Sequence, residues 1–186
     1  MTMGLPTREE ADKILREYVS EAYQVLHSEM VAAAMEFYGE KFGEDKDLWY
    51  TTGLLHDLDY GKFPTEHPDK SLVWFKEWGY PEGLIDAVDA HGLRTPRVDP
   101  KTRMAKALIA IDELSGIIYA YFIMRPTGFE GMEAKSVIKK FKDRAFAAKI
   151  SREEVTYGVE LLGIDFKEHV QNMINVFSKM SQIKKV

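Results

Sequence analysis

The sequence predicts an all-α fold, a bundle of roughly eight or nine helices. Three observations predict it. Nearly every segment repeats its apolar residues at spacings of three and four. No convincing run alternates with a period of two. Capping signatures recur at intervals of about one helix length. The chain has 186 residues and is 45% hydrophobic, which suits one domain with a sizeable core. The expected organisation is a single domain over 1–186, with a core at about 20–125 and a C-terminal helical extension at about 130–183.

Each element has its own signal. Thr7-Arg8-Glu9-Glu10 is a capping box, and behind it Ala11, Ile14, Leu15, Tyr18 and Val19 fall on one face. A second helix is expected over Ala22–Tyr38, ending near Gly39. Asp45 or Asp47 caps a third, running to about Asp57. Pro68 and Asp69 open a fourth that stops at Gly79. Pro81 at a first-turn position starts a fifth, which runs to about Ala90. A loop with two prolines spans Gly92–Pro100. A strongly apolar helix follows to about Met124, and Arg125-Pro126-Thr127-Gly128 ends it. A further helix is expected over about Glu133–Ala148. Ser151-Arg152-Glu153-Glu154 is another capping box, Gly163 ends that helix, and Asp165 with Glu168 caps the last.

The apolar window Ala105–Met124 is long enough to cross a bilayer. Lys106, Asp112 and Glu113 lie inside it, and charges at mid-span are costly, so a buried core helix is the better reading. The N-terminus shows no basic-then-apolar signal pattern. A cytoplasmic protein is expected, with no membrane partner. The absence of cysteine excludes disulfides, thiolate metal sites and cysteine nucleophiles. A net charge of −5 and the lack of a recognition motif argue against a nucleic-acid partner. Oligomeric state is not legible.

The chemistry concentrates around Leu54–Pro68, LLHDLDYGKFPTEHP. His56 and Asp57 leave the end of an apolar helix together, where neighbouring side chains can converge. Imidazole nitrogen and carboxylate oxygen suit divalent manganese, iron, nickel, cobalt and zinc. Further donors sit at plausible places. His27 lies among Val25, Leu26, Met30 and Val31. Asp112 lies inside the most apolar helix, where a carboxylate needs a compensating partner. His67 follows the Gly-Pro loop, and His91 ends the fifth helix. Six residues thus come from five elements, as a metal site in a bundle core requires. Asp59 and Glu66 are placed to orient imidazoles, or simply to be solvated. His169 is expected to be structural or at the surface.

The order His, His-Asp, His, His, Asp resembles the HD superfamily of metal-dependent phosphohydrolases. GLLHDLDYGKFPTEHP, IDAVDAHG, KALIAIDELSG and the later RPTGFE and KSVIKKFKDRAFA resemble one predicted-hydrolase branch of it, over about residues 20 to 165. The resemblance implies an HD-domain helical bundle. It implies His27, His56, Asp57 and Asp112 as ligands of a first ion, Asp57 as a bridge, and His67 and His91 on a second. Where many relatives carry a His pair, this chain has His91-Gly92. The implied cofactor is one or two divalent transition metal ions.

The implied activity is hydrolysis of a small phosphomonoester or phosphodiester by a metal-activated bridging hydroxide, with Asp57 as the catalytic carboxylate. A nucleotide is the commonest substrate type in the superfamily. The partner is then a small phosphorylated molecule, and cationic side chains should line the mouth of the site. Lys62, Arg94, Arg125 and Lys139 are the candidates. The basic run is amphipathic, so part of it must face solvent. Two other classes use the same residues: a di-iron oxygenase, and a non-catalytic, metal-containing ligand-binding domain. Bound metal and oxygen uptake separate them.

Overall fold

A computed structural model of the chain describes residues 4–92 and 98–184. Among these it has nine α-helices and no strand: α1 (Arg8–Tyr18), α2 (Ala22–Phe42), α3 (Lys46–Leu55), α4 (Asp69–Glu77), α5 (Glu82–Ala90), α6 (Arg103–Met124), α7 (Ala134–Lys142), α8 (Arg152–Leu162) and α9 (Phe166–Phe177). The all-α reading is therefore correct. The capping residues act as their side chains dictate. Thr7 and Glu10 form the reciprocal box at α1. Asp45, Ser151 and Asp165 accept backbone N–H groups at α3, α8 and α9, and Thr102 does so at α6.

Two boundaries differ from the expectation. The second helix runs through Gly39 to Phe42. Gly39 lies within it, where a β-carbon would stand 2.9 Å from the Trp49 ring. The true stop is Gly43, in the left-handed region at φ 69°. The helix expected to reach Ala148 ends at Lys142. There the Ala145 N–H, which would continue the helix, donates to the Asp143 carboxylate (3.1 Å) instead. The guanidinium of Arg152, itself buried, donates to the carbonyls of Phe141, Asp143, Phe146, Ala147 and Ile150. Those carbonyls are committed to a distant side chain, so 143–150 folds as turns, with Ala147 at φ 45°.

The long helices α2 and α6 lie in one apolar cluster with α8 and α9, while α1, α3, α4 and α5 close a second. Most of α6 is buried, so it is a core helix. Where α3 meets α2, a β-carbon on Gly53 would come within 2.8 Å of the Ala32 Cα. Only glycine permits that approach. It brings the C-terminal end of α3, with His56 and Asp57, against the His27 turn of α2.

Candidate metal centre

His27 projects from α2 and His56 stands at the end of α3, followed by Asp57. His67 belongs to the connection between α3 and α4, His91 caps α5, and Asp112 lies in α6. The fold brings all six together as two groups that share Asp57: His27, His56, Asp57 and Asp112, then Asp57, His67 and His91. In each group the donor atoms lie within 4.8 Å of one another. The Asp57 carboxylate is split between them. Oδ2 faces His56 Nε2 (3.5 Å) and His27 Nε2 (4.0 Å), while Oδ1 faces His67 Nε2 (3.2 Å) and His91 Nε2 (3.5 Å).

The rings are fixed from behind. His56 Nδ1 donates to the Gly53 carbonyl (2.7 Å) and His91 Nδ1 to the Val88 carbonyl (2.5 Å), while His67 Nδ1 donates to Asp59 Oδ1 (2.6 Å). Each tether leaves an Nε2 lone pair aimed into the site. Asp59 is fully buried and also accepts the Ser71 N–H of α4 (3.0 Å), so it orients His67. Glu66 instead pairs with Lys70 at the surface (2.8 Å).

Two observations fit this donor set to divalent cations. The Nε2 of His56 is buried without a hydrogen-bond partner. The Nε2 atoms of His67 and His91 stand 3.1 Å apart, and with both Nδ1 atoms donating, two lone pairs confront each other. That arrangement needs positive charge between them. The electrostatics agree. Burial works against a charged His56, yet Asp57 and then Asp112 outweigh it and raise its pKa to about 9. Burial pushes Asp57 and Asp112 upward, but the imidazoles hold both below the ordinary carboxylate range.

A cleft of about 650 Å3 opens over the two groups. Of the expected cations, none among the described residues lines it. The Lys62 ammonium lies over the Tyr18 ring (5.2 Å), on the α1 side. Arg125 donates to the carbonyls of Gly128 (2.8 Å) and Glu130 (2.6 Å) and so braces its own turn. Lys139 lines a separate groove with Lys135, Lys142 and Lys167. Arg94 lies outside the described residues, as does most of the loop expected at Gly92–Pro100. Sequence reasoning missed Lys149 and Glu113, which do line the cleft. Burial, then Asp112, pushes Glu113 up to about 8. Its position one residue after Asp112 was a usable signal; nothing local marked Lys149. His169 is structural: its Nε2 donates to the Ala110 carbonyl (3.0 Å) and its Nδ1 accepts the Tyr38 hydroxyl (2.6 Å).

The family model of the HD domain matches residues 25–117, a span that contains all six His and Asp residues. The chain belongs to the HD domain family. No curated protein and no solved structure matches it. Membership in the HD domain family places the chain in a superfamily of metal-dependent hydrolases, and the two His/Asp groups are compatible with divalent metal.

Proposed function

We propose that this HD domain protein is a metal-dependent phosphohydrolase, a hydrolase acting on ester bonds of a small phosphomonoester or phosphodiester. The split carboxylate of Asp57 carries the reading. One side chain faces two clusters of lone pairs, at the floor of a cleft sized for a small molecule. His27, His56, Asp57 and Asp112 would hold one divalent ion, and Asp57, His67 and His91 a second. Such a pair supplies Lewis acidity toward a phosphoryl oxygen and water ionised near neutral pH.

The chain's own groups do the rest. The carbonyls of Gly53 and Val88 and the carboxylate of Asp59 hold three imidazoles in the ligating tautomer. Asp57 keeps its charge at neutral pH and ties the two groups together. Burial of His56 and His91 keeps bulk water away from the floor, while Asp57 and Asp112 remain partly open to the cleft.

The test is a panel of phosphomonoesters and phosphodiesters, assayed with manganese, cobalt, nickel and magnesium. The protein should bind a divalent transition metal and turn over at least one ester. Asp57→Ala should lose both. Full metal occupancy in Asp57→Ala would refute the assignment. Oxygen uptake with iron, and no ester hydrolysis with any metal, would move the protein to the oxygenase class.

A further inference from the structure

We infer that the turn 143–151, which lies beyond the matched family span, is the substrate-selecting wall of the cleft: Lys149 contacts the phosphoryl group of the substrate, and Arg152 is the residue that positions it. The inference rests on the hydrolase reading above and adds a contact to it.

Charge around the cleft is the first argument. Apart from the ligand groups, the acidic and basic residues that line it are Glu21, Glu113 and Lys149. Lys149 is thus the one cation among the described lining residues, and it makes no ion pair among them. A dianionic group entering a cleft floored by Asp57 and Asp112 meets Lys149 as the one lysine or arginine among its described lining residues. A charge-assisted hydrogen bond to such a group is of the stronger kind.

The second argument is that Lys149 does not sit on a loose loop. Four backbone carbonyls of its turn, at Asp143, Phe146, Ala147 and Ile150, converge on one buried guanidinium. Ile150, next in sequence, fills the notch left by Gly116 on α6, where a β-carbon would stand 2.9 Å from the Ile150 Cδ1. Gly116 is one turn along α6 from Asp112. The wall is therefore pinned at two points, one of them on the helix that carries a ligand candidate. An exposed lysine held on such a frame loses less conformational freedom on meeting a ligand than one on a free loop.

The third argument is what Arg152 could have done instead. At the first position of α8 an arginine ordinarily reaches solvent. Here it is buried and spends its donors on one short segment. Lysine, with three donors on a point charge in place of five on a planar fork, cannot hold all five carbonyls at once.

The test uses the full-length, metal-loaded protein and its best phosphoester. Lys149→Ala should lower kcat/KM by roughly tenfold to a hundredfold, with metal content unchanged. Lys149→Arg should recover part of that, and Lys149→Glu should be the worst of the three. Arg152→Lys should reproduce the loss while the unfolding transition stays cooperative. In the double variant Lys149→Ala/Arg152→Lys the two losses should not add, because Arg152 acts through Lys149. Unchanged kcat/KM in Lys149→Ala would overturn the proposal. Full additivity in the double variant would reduce Arg152 to a stabilising residue and overturn its positioning role. If no ester is turned over, the hydrolase reading has failed separately. Inorganic phosphate binding to the manganese-loaded protein then decides: weaker binding in Lys149→Glu supports the contact, and equal binding refutes it.

Discussion

Asp59→Asn tests the second ion position without touching any ligand. Asp59 is fully buried, with Oδ1 2.6 Å from His67 Nδ1 and Oδ2 3.0 Å from the Ser71 N–H. The substitution keeps the shape, removes the charge and converts one acceptor into a donor. Suppose the amide oxygen faces His67. That bond survives but falls from the charged class, about 1.5–3 kcal/mol, to the neutral class, about 0.5–1.5 kcal/mol. The difference of roughly 1–1.5 kcal/mol corresponds to about a fivefold to tenfold loss of affinity for an ion held through His67. The amide N–H2 then confronts the Ser71 N–H, and two buried donors face to face cost about 1–3 kcal/mol of folding stability. Suppose the amide is flipped. The Ser71 bond is kept, but His67 Nδ1 must become an acceptor. Its proton then moves to Nε2 and blocks the ligating atom. Both orientations weaken the second position, and neither reaches His27, His56 or Asp112. A calorimetric titration with manganese should show one binding step unchanged and the other weakened by about fivefold or more. A second step identical to that of the parent protein would refute the orienting role of Asp59.

Three more outcomes follow from particular contacts. Burial pushes His169 down to about 4, from an ordinary 6.5; because the unfolded chain takes up the proton first, stability should be full above about pH 6.5 and fall as pH drops toward 4, by on the order of 3 kcal/mol. Urea unfolding of the parent and of His169→Gln at pH 7 and pH 4.5 measures this, and the variant should lose less on acidification. Gly158→Ala places a β-carbon 2.6 Å from the Ala110 Cα, backbone against backbone, so a loss of about 3 kcal/mol, the upper end for overpacking, should appear in thermal unfolding. Lys62→Ala should leave turnover unchanged, since its ammonium lies over Tyr18 and outside the cleft; a large loss on the best ester would return Lys62 to the substrate contacts.

Legibility in the sequence followed the range of the interactions. Caps act within four residues, so Thr7, Asp45, Ser151, Gly163 and Asp165 marked helix ends that the structure shares. The six His and Asp residues stood out because their chemistry is rare within apolar helices, and their grouping follows from how the elements that carry them pack. Gly39 misled because a glycine that admits a tryptophan reads the same as a glycine that ends a helix. The premature end of α7 depends on Arg152, ten residues beyond Lys142, and no local pattern encodes that reach. Three of the four expected cations stand away from the cleft for a related reason. Lys62 is close to Asp57 in sequence, but the direction of its side chain is set by Tyr18 on α1. Lys149 is far from every ligand in sequence and borders the cleft because a turn is folded back onto α6.

The grip on Ala110 has a consequence for how the molecule can be divided. Its carbonyl accepts His169 from α9, and its backbone meets Gly158 of α8 at the closest approach glycine allows. Asp112 lies two residues further along the same helix. The last two helices therefore act on the centre mechanically: they are the vice in which one wall of it is held. Cutting the chain after the matched HD span would leave His56, His67 and His91 with their own tethers, and would strip α8 and α9 from the helix that presents Asp112. The smallest unit able to keep all six donors in place is larger than the stretch by which the family is recognised.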